Sequence, residues 1–436
     1  MSFKRRAVPL LVALPLLLSC RSDDSLNPPP VSDPLFRRYA ALGNSITAGF
    51  QSAGISDSTQ QRAYPQLLAK AMGTTFNYPR LNGRGCPPPF TNNTTQTRVG
   101  AGTGSTCDLR IPVSGPLNSV AVPGNAVGTL LSNFGGLPSA FDPLKTIFLG
   151  GRTEVELMQQ LKPTFVSLWI GNNDVLGAFI SLTNAGDTSQ ITPVTQFNAQ
   201  FDSVADVIAA TGAKAVVVSV GNVTAIPFAS SAAIYYCLKN GGCPTPPFPP
   251  QNALLAAIPT FTVNVNCAPI PPAGGGIPVL VPWPIALAKV DSATLGIPTS
   301  IDCSDSLSVI SPQETAAMIT AVTAYNTHIA AVAAANNWAY YDINPALSAL
   351  RMNGTIPAFP DVSLALVPPP TPRGPVTFGP IFSQDGVHPS SFTHRVAADS
   401  IAATINRFYG PSGTGDLVTP LPVPVCGGAV TCPSPI

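Results

Sequence analysis

A serine hydroxyl becomes a useful nucleophile when a base takes its proton and donors hold the oxyanion that its attack creates. Four short segments of this 436-residue chain carry residue types that could do this together. The first is Ala41-Leu42-Gly43-Asn44-Ser45-Ile46-Thr47-Ala48-Gly49, which directly follows an apolar run. A serine at such a strand-to-helix turn can project its hydroxyl at the carboxyl edge of a sheet, where α/β sites sit. Alone the signal is weak, because serine is common in turns and at helix caps. The second is Asp385-Gly386-Val387-His388-Pro389. An Asp three residues before a His can fold its carboxylate back onto Nδ1, fixing the tautomer and leaving Nε2 to accept a proton. A capping Asp beside a structural His is the plainer alternative, but the chain has only three histidines and Ser45 supplies the missing nucleophile. The third segment is Trp169-Ile170-Gly171-Asn172-Asn173-Asp174, where an Asn amide could donate to an oxyanion. The fourth is Val122-Pro123-Gly124-Asn125-Ala126, where the Gly124 N–H could be a second donor or Gly124 simply a turn glycine.

In order and content, Gly43-Asn44-Ser45-Ile46, Gly124, Gly171-Asn172-Asn173-Asp174 and Asp385-Gly386-Val387-His388 resemble the four blocks of the SGNH (GDSL-type) hydrolase family. The resemblance runs from about Phe36 to Gly410; its serine, asparagine and histidine blocks match more closely than its glycine block. It implies a flavodoxin-like three-layer α/β/α sandwich and ester hydrolysis without a metal or cofactor. By the same resemblance Ser45 is the nucleophile, His388 the base and then acid, and Asp385 the residue that orients His388. The Ser45 and Gly124 N–H groups and the Asn173 amide would form the oxyanion hole. One departure is plain: Asn44 stands where the family has Asp. It keeps the size and turn preference but not the charge.

These segments must be positioned by strands and helices. Near-continuous apolar runs at 39–42, 119–122, 165–170, 215–220 and 338–343 predict strands covered on both faces. Helices are predicted over Tyr64 to Met72, from Thr192-Pro193 to about Ala210, from a Ser311-Pro312-Gln313-Glu314 capping box to about Ala335, and from about Ser391 to Tyr409 with a stop at Gly410. Alternation of the two types predicts an α/β domain with a mainly parallel sheet over 36–410. Inserts at about 79–117 and 223–310 lack clear periodicity, and disulfides are the expected substitute for a core in both. At least one insert is expected to pack beside the cleft and narrow it. His328 and His394 read as ordinary helical side chains, Asp174 as a cap for the helix after its loop, and the proline-dense run from Pro244 to Pro284 as a disulfide-held surface loop.

Composition sets the outer limits. The chain is 45% hydrophobic, only 10% charged, and carries a formal charge of +1, which leaves no basic face for nucleic acid. Lys4, Arg5 and Arg6 precede an apolar run from Ala7 to Leu18, too short to span a bilayer and suited to a signal sequence. The run ends in Leu17-Leu18-Ser19-Cys20, which resembles a bacterial lipobox; the alternative is a plain secretory signal with a chance Cys. Residues 1–19 would then be a signal peptide and Cys20 a lipidated anchor to the membrane. Residues 20–35 would be a proline-stiffened tether. Losing 1–19 brings the formal charge from +1 to −2. The expected location is the cell envelope, in the periplasm or on the cell surface.

Eight further cysteines permit 105 connectivities, of which sequence neighbours are the simplest: 86–107, 237–243, 267–303 and, in the tail 411–436, 426–432. Zinc is disfavoured by the lack of a CxxC pair and the few histidines. Two function classes stay open: a serine esterase acting on a lipid, an acylated glycan or a small acyl ester, and a non-catalytic surface lipoprotein that uses the fold as a binding module. The esterase is expected to be a monomer and to need no partner beyond its ester substrate and the membrane.

Overall fold

The computed structural model describes residues 33–132, 143–244, 249–269, 276–367, 371–410 and 416–420. The signal peptide, Cys20, most of the tether and the Cys426–Cys432 pair lie outside the described residues.

Four parallel strands form the central sheet: β1 (Tyr39–Gly43), β2 (Phe165–Trp169), β3 (Lys214–Val218) and β4 (Ala339–Tyr341), adjacent in that order. Register is fixed by pairs such as Tyr39 with Phe165, Phe165 with Lys214 and Ala339 with Val216. Alternation explains why both faces of these runs had to be apolar. Ala40, Leu42, Val166, Leu168, Ala215 and Val217 belong to one buried cluster, and Tyr39, Ala41, Phe165, Trp169, Val216 and Val218 to another. Side chains of opposite parity point to opposite faces, and helices cover both.

On the first face lie α3 (Glu154–Leu161), α5 (Val194–Ala210) and α6 (Pro312–Ala335); α1 (Ser45–Ala48) and α2 (Tyr64–Ala71) follow β1, and α4 (Asn173–Ile180) follows β2. The capping box of α6 is formed as its sequence suggests, with the Ser311 hydroxyl accepting from the Glu314 N–H and the Glu314 carboxylate accepting from the Ser311 N–H. That helix is apolar and long enough to cross a membrane by composition, but Met318, Val322, Tyr325 and Ile329 are buried against the sheet. The second face is covered by α2 and by α8 (Ser391–Tyr409); between β4 and α8 lies α7 (Asn344–Met352). Gly410 leaves α8 in an extended conformation, φ −67°.

Three expectations need correction. The run 119–122 is not a full strand: it pairs with β1 only through the Ser119–Ala41 bridge. The Val122 N–H donates to the Glu154 carboxylate, so it is spent on a side chain rather than on a ladder. The insert 223–310 has a core of its own, in which Tyr235, Leu238, Phe261, Val281, Val290 and Ile301 are buried together. Its helices Ala232–Asn240 and Trp283–Thr294 lie against two-stranded pairs of three residues per strand. Strands that short show no readable alternation, and Pro284 in the first turn of a helix reads as a loop residue although prolines suit that position. The third concerns His394, which is fully buried on α8. The spacing 394, 397, 398, 401, 405 marks the buried stripe that carries it. His328 is the ordinary helical side chain expected, half-buried on α6 and 2.7 Å from the Asp202 carboxylate.

Among the described residues there are three disulfides: Cys86–Cys107, Cys237–Cys243 and Cys267–Cys303. Each joins sequence neighbours and lies within an insert.

Candidate active site

Ser45 opens α1 immediately after β1. Gly43 is needed there: a Cβ would lie 2.3 Å from the Trp169 carbonyl oxygen and 2.3 Å from Thr47 Oγ1, and its φ is +154°. Asn44 then caps α1 by accepting the Ile46 N–H on Oδ1 at 3.0 Å. Capping requires only an oxygen acceptor, so Asn performs it without the carboxylate of the family motif. Ser45 is the first residue of a helix, where its N–H has no intrahelical acceptor.

The histidine segment arrives from the other end of the chain. His388 Nε2 lies 2.9 Å from Ser45 Oγ, and His388 Nδ1 lies 2.8 Å from Asp385 Oδ2. The Asp385 carboxylate is saturated with donors. Oδ1 accepts from the N–H groups of Val387 and His388, each at 2.9 Å, and from the Ser383 hydroxyl at 3.1 Å. Oδ2 also accepts the Ala53 N–H at 2.7 Å. Burial alone would raise the Asp385 pKa, but the adjacent His388 and these donors bring it down to about 2. Gly386 is left-handed, φ +69°, which lets the chain turn back between the Asp and the His. The Ala53 donor comes from a tight turn in which Ser52 and Ala53 both have positive φ, 53° and 51°. Two non-glycine residues held there store backbone strain beside the site. The Phe50 ring lies 4.8 Å from the His388 ring and backs it.

Asn173 begins α4 and lines the same cavity as Ser45 and His388. Its amide donates one N–H to the Asn125 carbonyl at 2.8 Å; an amide carries two. Gly124 is exposed in the adjoining turn, φ +90°, and is not part of the cavity wall. Ser45, His388 and Asp385 are thus directly bonded, Asn173 shares their cavity, and Gly124 is joined to them through its neighbour Asn125. Asp174 does not cap its own helix. It is buried and accepts the Val127 N–H at 2.9 Å and the Thr192 hydroxyl at 3.0 Å, and burial raises its pKa to about 6.

Sequence reasoning missed Glu154, a fully buried carboxyl bonded to Gly43, Val122 and Asn125. An acidic residue in the first turn of a helix is ordinary, so nothing in the sequence distinguished it. It also missed the contribution of the first insert, in which the buried Asn93 donates to the Val376 and Gln384 carbonyls and so braces the segment that carries Asp385. A small cavity opens beside Ser45 and His388; with its mouth and the open solvent there it spans about 680 Å³. Its wall is mostly apolar, with Ile46, Leu176, Leu347 and Phe382 from the main fold and Val223 and Ile226 from the start of the second insert. One insert therefore does reach the cleft.

The parallel sheet thus brings Ser45, His388 and Asp385 into one hydrogen-bonded line beside an apolar cleft, an arrangement that could activate a serine hydroxyl. Residues 39–401 match the family described as GDSL-like lipase/acylhydrolase, and the chain belongs to that family. It is a carboxylic ester hydrolase. No curated protein matches it. Solved structures similar to it include a catalytic mutant of an acetylxylan esterase from Geobacillus stearothermophilus, at 13% identity, covering 85% of this chain and 94% of that one, TM-score 0.35. A putative SGNH hydrolase from Slackia heliotrinireducens has 13% identity, 85% and 99% coverage and TM-score 0.32. An extracellular lipase from Streptomyces rimosus has 15% identity, 81% and 93% coverage and TM-score 0.33. The family match, over most of the chain, carries the assignment.

Proposed function

We propose that this chain is a serine esterase that cleaves carboxylic esters bearing an apolar acyl group. The observation that carries the reading is the unbroken line from Ser45 Oγ through both ring nitrogens of His388 to Asp385, at 2.9 and 2.8 Å. His388 Nε2 takes the hydroxyl proton as Ser45 attacks the ester carbonyl, and the Asp385 carboxylate holds the ring and stabilises the imidazolium. The oxyanion is received by the Ser45 N–H and the second N–H of Asn173; the Gly124 N–H, in the adjoining turn outside the cavity wall, is the third donor that the family resemblance implies. Imidazolium then returns its proton to the departing alkoxide, leaving an acyl-Ser45. Water, deprotonated by His388, attacks that acyl group; the Ser45 O–acyl bond breaks, His388 returns the proton to Ser45 Oγ, and the carboxylic acid departs. The apolar wall supports an acyl chain longer than acetyl, since each buried CH₂ contributes about 0.8 kcal/mol.

A series of p-nitrophenyl esters from acetate to octanoate tests both parts. Specificity is expected to rise beyond acetate, and Ser45→Ala to be inactive throughout. Wild-type turnover by Ser45→Ala overturns the mechanism; a preference for acetate overturns the apolar acyl group alone.

The proposal extends to address. Residues 36–410 form the hydrolase domain, held by the 20–35 tether to a lipid anchor on Cys20 of the mature envelope protein. The apolar run before Leu17-Leu18-Ser19-Cys20 supports this, and the three disulfides are consistent with an oxidising compartment. Metabolic labelling with a fatty acid should mark the wild type and not Cys20→Ser; equal labelling of both sinks the anchor.

A further inference from the structure

We propose that Glu154 is a positioning residue of the oxyanion hole, its one carboxylate fixing the chain before Ser45 to the chain around Gly124. This rests on the reading of Ser45 as nucleophile. Glu154 Oε2 accepts the Gly43 N–H at 3.0 Å, two residues before Ser45. Glu154 Oε1 accepts the Val122 N–H at 3.2 Å and the side-chain amide of Asn125. Val122 and Asn125 bracket Gly124, and the Asn125 carbonyl in turn accepts the Asn173 amide at 2.8 Å. Every donor proposed for the oxyanion is therefore within two residues of an atom held by this carboxylate, or one hydrogen bond beyond it.

The simpler role for an acid at this position is to cap α3. That role is already filled: Thr153 Oγ1 accepts the Glu156 N–H at 3.1 Å, and the Glu156 carboxylate accepts the Thr153 N–H at 2.8 Å. Glu154 turns away from this box into the protein, where it and Asn125 are fully buried. All three of its neighbours are donors, which an acceptor-only carboxylate satisfies, and these bonds oppose the burial that pushes the Glu154 pKa up to about 8. The buried Lys145, on the helix Pro143–Leu149, adds a favourable positive charge. Burying an acid is unfavourable, and an apolar side chain would fill the space. What the acid adds is a common anchor for two separate segments, at Gly43 and at Val122 to Asn125, whose mutual placement sets where the oxyanion donors lie.

Glu154→Gln tests this with almost no change of shape. One of the three donors would then face an amide NH₂ rather than an oxygen. Misplacing donors should cost less than deleting one, so kcat is expected to fall about 10- to 100-fold with KM changed less than about threefold. Affinity for a trifluoromethyl ketone, which forms a tetrahedral oxyanion on Ser45, should fall in step with kcat/KM. A variant that only lost stability would keep the wild-type ratio of analogue to substrate binding in its folded fraction. If Glu154→Gln does not fold, Asn125→Ala decides, since it removes one donor and leaves the backbone carbonyl that holds Asn173. It should show the same pattern, with kcat down by more than twofold and up to about tenfold. A kcat within twofold of wild type, or equal loss of substrate and analogue affinity, overturns the proposal. Turnover by Ser45→Ala instead overturns the nucleophile, so the two failures are distinguishable.

Discussion

At the scale of single residues, the two asparagines of Gly171-Asn172-Asn173-Asp174 make the sharpest contrast. Both line the cavity, but Asn173 has one N–H committed to the Asn125 carbonyl, which orients the other. Asn173→Ala should lower kcat by about 10²–10³ with little change in KM, and Asn172→Ala by much less. Steady-state kinetics on a single p-nitrophenyl ester would show it, and the reverse order would move the oxyanion donor to Asn172. Asn44 marks the other end of the range. It departs from the family pattern at the position next to the nucleophile, yet its Oδ1 fills the one role visible there, the cap of α1. Both residues were legible from motif spacing. Glu154 was not, because its three partners lie 29 to 111 residues away in the chain.

At the scale of elements, the joint between α2 and α8 depends on a histidine that the sequence presents as unremarkable. His394 Nδ1 accepts the Tyr64 N–H at the start of α2, at 3.3 Å, which requires the neutral ring. Burial, with the nearby His388, pushes its pKa down to about 3. In the unfolded chain the ring binds a proton below about pH 6.5. The native state therefore loses stability as pH falls from about 6.5 toward 3, by up to about 1.4 kcal/mol per pH unit from this group. Asp174 acts in the opposite sense, because its raised pKa near 6 lowers stability as pH rises from about 4 to 6. Urea unfolding of wild type and His394→Asn at pH 7, 6 and 5 isolates the histidine. The variant should be less stable at pH 7, and the gap should close on acidification. Parallel pH profiles would show that His394 does not titrate on unfolding. The α2 and α8 boundaries were readable from periodicity and caps, and their mutual contact was not.

At the scale of the whole molecule, two buried clusters on the faces of the sheet and a third inside the second insert divide the fold. Cys267–Cys303 spans 36 residues, all within that insert, so the chain-entropy account gives about 4 kcal/mol for it. Because the insert has its own core, Cys267→Ser with Cys303→Ser should loosen it while the sheet stays folded. Val223 and Ile226 at the cleft wall pack in the sheet's cluster just before the insert's helix Ala232–Asn240. The loosening reaches them through that short link, and acyl-length preference should broaden before overall unfolding. Activity on the ester series, followed alongside far-UV circular dichroism, separates the two. Loss of activity only together with the whole fold would deny the insert any part in the cleft.

The sequence by itself determined the parallel α/β plan and the caps of its long helices. It also suggested the three cysteine pairings found among the described residues and singled out the Ser, Asn, Asp and His proposed to carry the chemistry. Each of these is a local signal: apolar runs, cap residues, short loops and motif turns act over a few residues. Only the tertiary structure decided that Ser45 and His388, 343 positions apart, come within a hydrogen bond, that residues 223–310 bury a core, and that one carboxyl ties two distant loops together. These depend on contacts between distant segments, and a buried acid or a three-residue strand looks in sequence like any surface loop until its partners are in place.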